Sequence, residues 1–294
     1  MRAALLRTRL AFVLVLASAL ACTTNETSGS AETPTKHGDD AGPKPSPRDE
    51  PAKPAYPAAE ALLARHVEVS GGADKIAQFS SLYVESTIDT GAQKLFGTSK
   101  LWWKPGKFYL EEQIEGIGPS KMGYDGTTLW MSDPINGLRK VEGREAAGYI
   151  QASSTMFPAH EWQTFYSKAE TTGSVEVEGK KIWEVLLTSK AGPDVTIGLD
   201  ADTGLIAFMK TKQLSPMGEM PFEVSSDDYR EVLGYKFAYA SHASISGLVD
   251  ITNVTTKLEP NAPIDESLFA FPSEHARVPA DPAAQPPIEA PPAG

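Results

Sequence analysis

From Leu82 onward the chain repeats with a period of two, and each alternating run ends in a reverse-turn signal. Leu82, Val84 and Ile88 alternate with Tyr83, Glu85 and Asp89. A side chain that returns to the same side every second residue marks a strand with one face toward a core. GTSKLWWKP and KFYLEEQIEG are joined by Lys104-Pro105-Gly106-Lys107, and Asp125-Gly126 precedes a strand over Thr127 to Met131. Proline presets φ and glycine accepts positive φ, so these pairs reverse the chain within two residues. Pro134 to Gly137 is a further turn. SVEVEG, KKIWEVLLTS, PDVTIGLD, LIAFMKTKQL, EVLGYKFAYASHAS and ISGLVDITNVTTKL follow as strands, with corners at Glu178-Gly179-Lys180 and Asp202-Thr203-Gly204. Many short strands with close turns predict an antiparallel sheet in which most strands connect to the next.

Two segments break the alternation. Ala58 to Val67 is rich in helix formers, with a stripe of Ala59, Leu62, Leu63, His66 and Val67, and Gly71-Gly72 ends it. Asp74 to Phe79 forms a second short helical turn. Between Glu142 and Tyr166, REAAGYIQA and AHEWQTFYS both carry helical spacing, separated by Phe157-Pro158. These inserts must cover one face of the sheet. The expected class is α+β, mainly antiparallel β. Leu214 to Phe222, with two Pro, two Met and a Phe, reads as an apolar loop between strands.

The first 22 residues, MRAALLRTRLAFVLVLASALAC, run from basic to apolar to small residues and end in the chain's one cysteine. The apolar run is too short to span a bilayer, which needs about 20 residues, and has the form of a signal peptide over 1–21. Cys22 at the cut site resembles the lipobox of bacterial lipoproteins, in which the thiol receives a diacylglycerol. The alternative is ordinary secretion with cleavage after Ala19-Leu20-Ala21. One cysteine leaves no intramolecular disulfide, so burial alone must hold the fold. Residues 22–56 are a linker rich in Pro, Ser, Thr and charge, reaching about 30 Å. Residues 273–294 form a similar Pro/Ala-rich tail, leaving 57–272 as the folded domain.

Removing a leader that carries Arg2, Arg7 and Arg9 takes the formal net charge from −11 to −14. That balance argues against a nucleic-acid partner. Catalytic signals are poor. None of the histidines pairs at a metal-binding spacing, and His160-Glu161 lacks the second His of H-E-x-x-H. There is no G-x-S-x-G elbow and no S-x-x-K pair. Gly116-Ile117-Gly118 leads into Pro119 and a strand rather than a helix. Asp200, Asp202, Asp227 and Asp228 fit turns. The sequence therefore predicts no metal, no cofactor and no enzyme.

GYDGTTLW (Gly123 to Trp130), LDADTGLI (Leu199 to Ile206), DDYREVLGYKFAY (Asp227 to Tyr239) and PIDESLFAFP (Pro263 to Pro272), together with the helix ending at Gly72, resemble one group. That group is the outer-membrane lipoprotein-sorting-protein-like family, with the fold of LolA and LolB. The resemblance covers about residues 57 to 272. It implies a strongly curved sheet forming an incomplete barrel, helices over the concave face, and a cavity for acyl chains. LolA is soluble, so a lipid-anchored chain is more similar to LolB. Thr23 in place of Asp favours the outer membrane in the sorting system it resembles.

On such a concave wall we expect Trp102, Phe108, Leu110, Trp130, Trp183, Val185 and Phe208 from the strands, and Ile150, Met156, Phe157, Trp162 and Phe165 from the middle inserts. Met217, Met220 and Phe222 are expected at the mouth, since thioethers suit adaptable apolar contacts. The same residues would equally fill a core. Two functions follow. One is an envelope lipoprotein that binds acyl chains or the lipid part of lipoprotein cargo. The alternative is an envelope protein-interaction or sensing module with a packed core and no lipid cargo.

Overall fold

The computed structural model describes residues 56–272 except 154, 155, 158, 216, 217 and 248. The leader, Cys22 and the C-terminal tail lie outside the described residues. Helix α1 spans Ala59–Ser70 and α2 spans Ala73–Ile76. Strands β1 (Leu82–Asp89), β2 (Phe96–Lys104), β3 (Lys107–Ile114), β4 (Gly118–Tyr124), β5 (Leu129–Asp133) and β6 (Gly137–Val141) follow. Helix α3 (Gly143–Ser153) leads to β7 (Tyr166–Val177), β8 (Lys180–Ser189), β9 (Val195–Asp200), β10 (Ile206–Ser215), β11 (Gly218–Val232), β12 (Tyr235–Ile245) and β13 (Val249–Pro260).

All strands form one antiparallel sheet in the order β6-β5-β4-β3-β2-β1-β13-β12-β11-β10-β9-β8-β7. The first and last strands pair at its centre, and β6 and β7 are the two free edges. The chain between those edges is α3 and residues 154–165, so the helical insert must pass from one edge to the other. It forms a strap across the open side of the sheet, which is an incomplete barrel. Curvature also follows from the cavity walls. Glu112 on β3 and Leu187 on β8 line one cavity although eight strand spacings separate them, about 38 Å in a flat sheet.

Three expectations change. AHEWQTFYS is not a helix: Ala159 and Glu161 have positive φ, only Trp162–Thr164 makes a 3-10 turn, and β7 begins at Tyr166. The apolar loop expected over Leu214 to Phe222 is instead largely strand: β10 and β11 continue in register to Ser215 and Gly218. Pro221 is accepted opposite Lys212 within the ladder. The run EVLGYKFAYASHAS is likewise split by a turn at Leu233-Gly234, both with positive φ.

The motifs that carry the resemblance turn out to be joints. Asp125 Oδ1 accepts from the amides of Thr127 and Thr128 at 2.8 Å, and Gly126 takes φ of 100°. Asp200 Oδ1 accepts from Asp202 and Thr203, and the Gly204 carbonyl receives His66 Nδ1–H at 3.1 Å. Arg65 adds bonds to the carbonyls of Ala201 and Asp202, so α1 is fastened to the β9–β10 turn. Residues 261–272 clasp the outer face. Trp130 Nε1 donates to the Phe269 carbonyl at 3.0 Å, and Phe269, Tyr109 and Trp130 form a buried cluster there.

Candidate functional site

Beneath the strap lies a cavity of about 300 Å³, at the lower bound of ligand clefts. Its floor comes from β11, β12 and β13 through Phe222, Val224, Ala243, Ile245 and Ile251. One wall is Leu187, Val195, Ile197 and Met209 on β8 to β10, and the other is Ile88 and Glu112 on β1 and β3. Tyr149 and Ala152 of α3, with Trp162 and Phe165, form the roof. Packed clusters close the ends. α1 seals β7 to β10 through Leu62 and Leu63, while Phe108, Met122 and Leu129 pack with Ala146 and Tyr149. Phe157 plugs a third side, its ring 5.2–5.7 Å from those of Phe79, Trp103, Tyr235 and Phe237. A second groove, between residues 56–59 and 169–172, is lined mostly by small residues and threonines and lacks converging apolar walls.

The strap is fastened by polar contacts. Glu145 on α3 pairs with Arg139 at 2.7 Å. Arg144 and Lys212 both hold Glu219, joining α3 to the β10–β11 hairpin, the lysine at 2.9 Å. Gln151 donates to the Pro193 carbonyl and accepts from Ser189, each at 2.8 Å. Gly148 and Gly192 allow that approach, since a Cβ on Gly192 would stand 2.8 Å from Gln151 Oε1.

Fifteen residues were expected on the concave wall or at its mouth. Trp162, Phe165 and Phe222 line the cavity. Met220 is half-buried and shares the inner face with Phe222, one inward position nearer the hairpin tip; it does not line the cavity. Met217 lies outside the described residues. Phe108 is on the inner face but inside the packed end cluster. Trp183 is on the inner face too, covered by α1 and by Tyr56, whose ring lies 6.2 Å away. Trp102, Trp130 and Phe208 face outward. The two-residue turn pairs Trp102 with Tyr109, which puts Trp102 opposite in sense to Phe108. A bulge between Ile206 and Phe208 reverses the latter, whose ring covers Gly198 on the outer face. Of the other concave candidates, Leu110 and Val185 are inward, Met156 and Phe157 belong to the aromatic plug, and Ile150 of α3 is half-buried and does not line the cavity.

Glu112 is the one cavity residue the composition gives least reason to expect. It follows Leu110 and precedes Ile114 at two-residue spacing, so it faces inward with them. No hydrogen bond or ion pair to its carboxyl is found among the described residues, and desolvation by the surrounding protein pushes its pKa up to about 7. Burial also raises the phenols of Tyr149 and Tyr166, which therefore stay neutral. Among the described residues no group of three His, Cys, Asp or Glu is placed to hold a metal ion. Paired catalytic geometry around Glu112 is likewise absent from the described polar contacts.

No family model matches the sequence, and no curated protein matches it. Solved structures do resemble it. A LolA superfamily protein from Nitrosomonas europaea superposes with a TM-score of 0.50 at 11% identity, over 73% of this chain and 98% of that one. A DUF1329 family protein from Desulfovibrio piger gives 0.48 at 12%, over 72% and 97%. An outer membrane lipoprotein-sorting protein domain from Vibrio parahaemolyticus gives 0.43 at 12%, over 70% and 97%. The fold is LolA/LolB-like, and identities this low speak to fold alone.

Proposed function

We propose that this chain is a lipid-anchored protein of the bacterial envelope that binds acyl chains in the cavity beneath its helical strap. Cys22 carries the anchor, residues 22–56 tether the domain at 57–272, and the outer membrane facing the periplasm is its place. The observation that carries the reading is an apolar cavity between a curved sheet and a strap, in a LolA/LolB-like fold. Binding is by desolvation, at about 25 cal/mol per Å² of apolar surface buried, and needs no catalytic group. Acyl chains of membrane lipid or of lipoprotein cargo both satisfy that requirement.

A fluorescent fatty-acyl probe tests this. The chain from residue 22 with Cys22→Ser should take up the probe, with displacement by unlabelled long-chain amphiphiles. Val224→Trp, which fills the floor, should abolish uptake while the protein still melts cooperatively. Uptake undiminished by a folded Val224→Trp would place the lipid elsewhere. No uptake by the parent would favour the interaction-module reading.

A further inference from the structure

The cavity is mostly apolar, with Thr211, Gln213 and His160 as polar lining away from the sheet wall that carries Glu112. Registers place Glu112, Ser99, Ser86 and Thr255 side by side on β3, β2, β1 and β13, all half-buried on the inner face. Asn253, which also lines the cavity, begins the adjacent row. Glu112 is therefore the charged end of a polar row on the sheet, with Asn253 three strands away beside its other end. A carboxyl in such a place costs free energy unless something donates to it. The other cavity charges are already matched: Glu145 by Arg139 and Lys212 by Glu219. Among the described residues no lysine or arginine on the cavity wall is left over to receive an anion beside Glu112, and His160 lies on the strap.

We propose that the cavity selects amphiphiles whose polar head donates hydrogen bonds and bears no negative charge, with Glu112 receiving that head. This rests on the acyl-binding reading and specifies its ligand class. The acyl chain lies against Ile197, Val224 and Ile251, and a hydroxyl, amide or amine reaches the carboxyl. An acyl carboxylate or phosphate would bring like charge against Glu112 in a low-dielectric site and is excluded. In this arrangement Glu112 gives specificity, whereas the hydrocarbon contacts give affinity.

The test compares three probes of equal chain length at pH 8: a monoacylglycerol, a long-chain primary amine and a fatty acid. The protein is residues 22–294 with Cys22→Ser, alone and with Glu112→Gln or Glu112→Leu. The first two probes should bind at least tenfold more tightly than the fatty acid. Glu112→Leu should erase that preference by improving fatty-acid binding, and Glu112→Gln should keep the monoacylglycerol while weakening the amine. Equal binding of all three, unchanged by either variant, would overturn the head-group assignment and leave the acyl-binding reading standing. Failure of all three to bind a cooperatively melting parent would overturn both.

Discussion

Two desolvated titratable side chains pull stability in opposite directions with pH. Desolvation raises Glu112 to about 7, against 4.5 as an ordinary carboxyl. The folded state then holds a proton that the unfolded state has lost between those values, so stability falls as pH rises from about 4.5 to 7. Above pH 7 the full penalty is present, up to about 3 kcal/mol from the pKa difference. Glu112→Gln should therefore stabilise the empty protein at pH 8 and change little at pH 4, as read by urea unfolding at the two pH values. His66 acts in the other sense. Burial lowers it to about 4, partly offset by its bond to the Gly204 carbonyl. The unfolded state takes up the proton first, so this contribution is present above pH 6.5 and lost as pH falls toward 4. A His66→Asn variant should flatten that acid limb. Glu112 was legible in part: its place between Leu110 and Ile114 in an alternating strand marks it as inward. What concealed it is that a glutamate in such a run also fits a solvent face until the sheet curls.

At the scale of elements, register decides which aromatic residues meet a ligand. The turn Lys104-Pro105-Gly106-Lys107 pairs Lys104 with Lys107, and that alone sends Trp102 and Phe108 to opposite faces. This parity was readable from the turn length. The reversal at Phe208 was not, because a bulge adds one residue without a sequence mark. The left-handed backbone at Ala159 and Glu161 was equally hidden, since AHEWQTFYS has helix-compatible residues throughout. On the outer face two glycines take aromatic rings across the ladder: Trp130 over Gly123 and Phe208 over Gly198. A Cβ at either glycine would stand 2.5 Å from the ring. Gly123→Ala should cost about 2–3 kcal/mol, within the range for core overpacking, seen as a lower urea midpoint with an unchanged m-value. The Arg144–Glu219–Lys212 contacts are exposed, and pairs of that kind add little to stability. Glu219→Gln should leave the melting temperature nearly unchanged and speed probe entry several-fold in stopped-flow mixing, because it frees α3 from the hairpin.

Across the whole molecule the organising fact is that both edges of the sheet are joined by a strap, while the first and last strands pair at its centre. One face holds the cavity. The other is closed by the clasp at 261–272, anchored by Phe269 under the Trp130 bond. Phe269→Ala should cost about 3–5 kcal/mol without altering head-group preference, because the clasp and the cavity lie on opposite faces. The sheet, the opening helix and its glycine stop were visible in period and turn chemistry. The cavity was not, because it depends on strands eight positions apart approaching one another. The central claim is that the space under the strap holds an acyl chain. Native mass spectrometry of the detergent-free chain from residue 22 with Cys22→Ser tests it most directly. A retained acyl-bearing amphiphile of neutral or cationic head is expected, absent from a folded Val224→Trp variant. A parent that flies at its bare polypeptide mass, and stays so after incubation with monoacylglycerol, would contradict the claim.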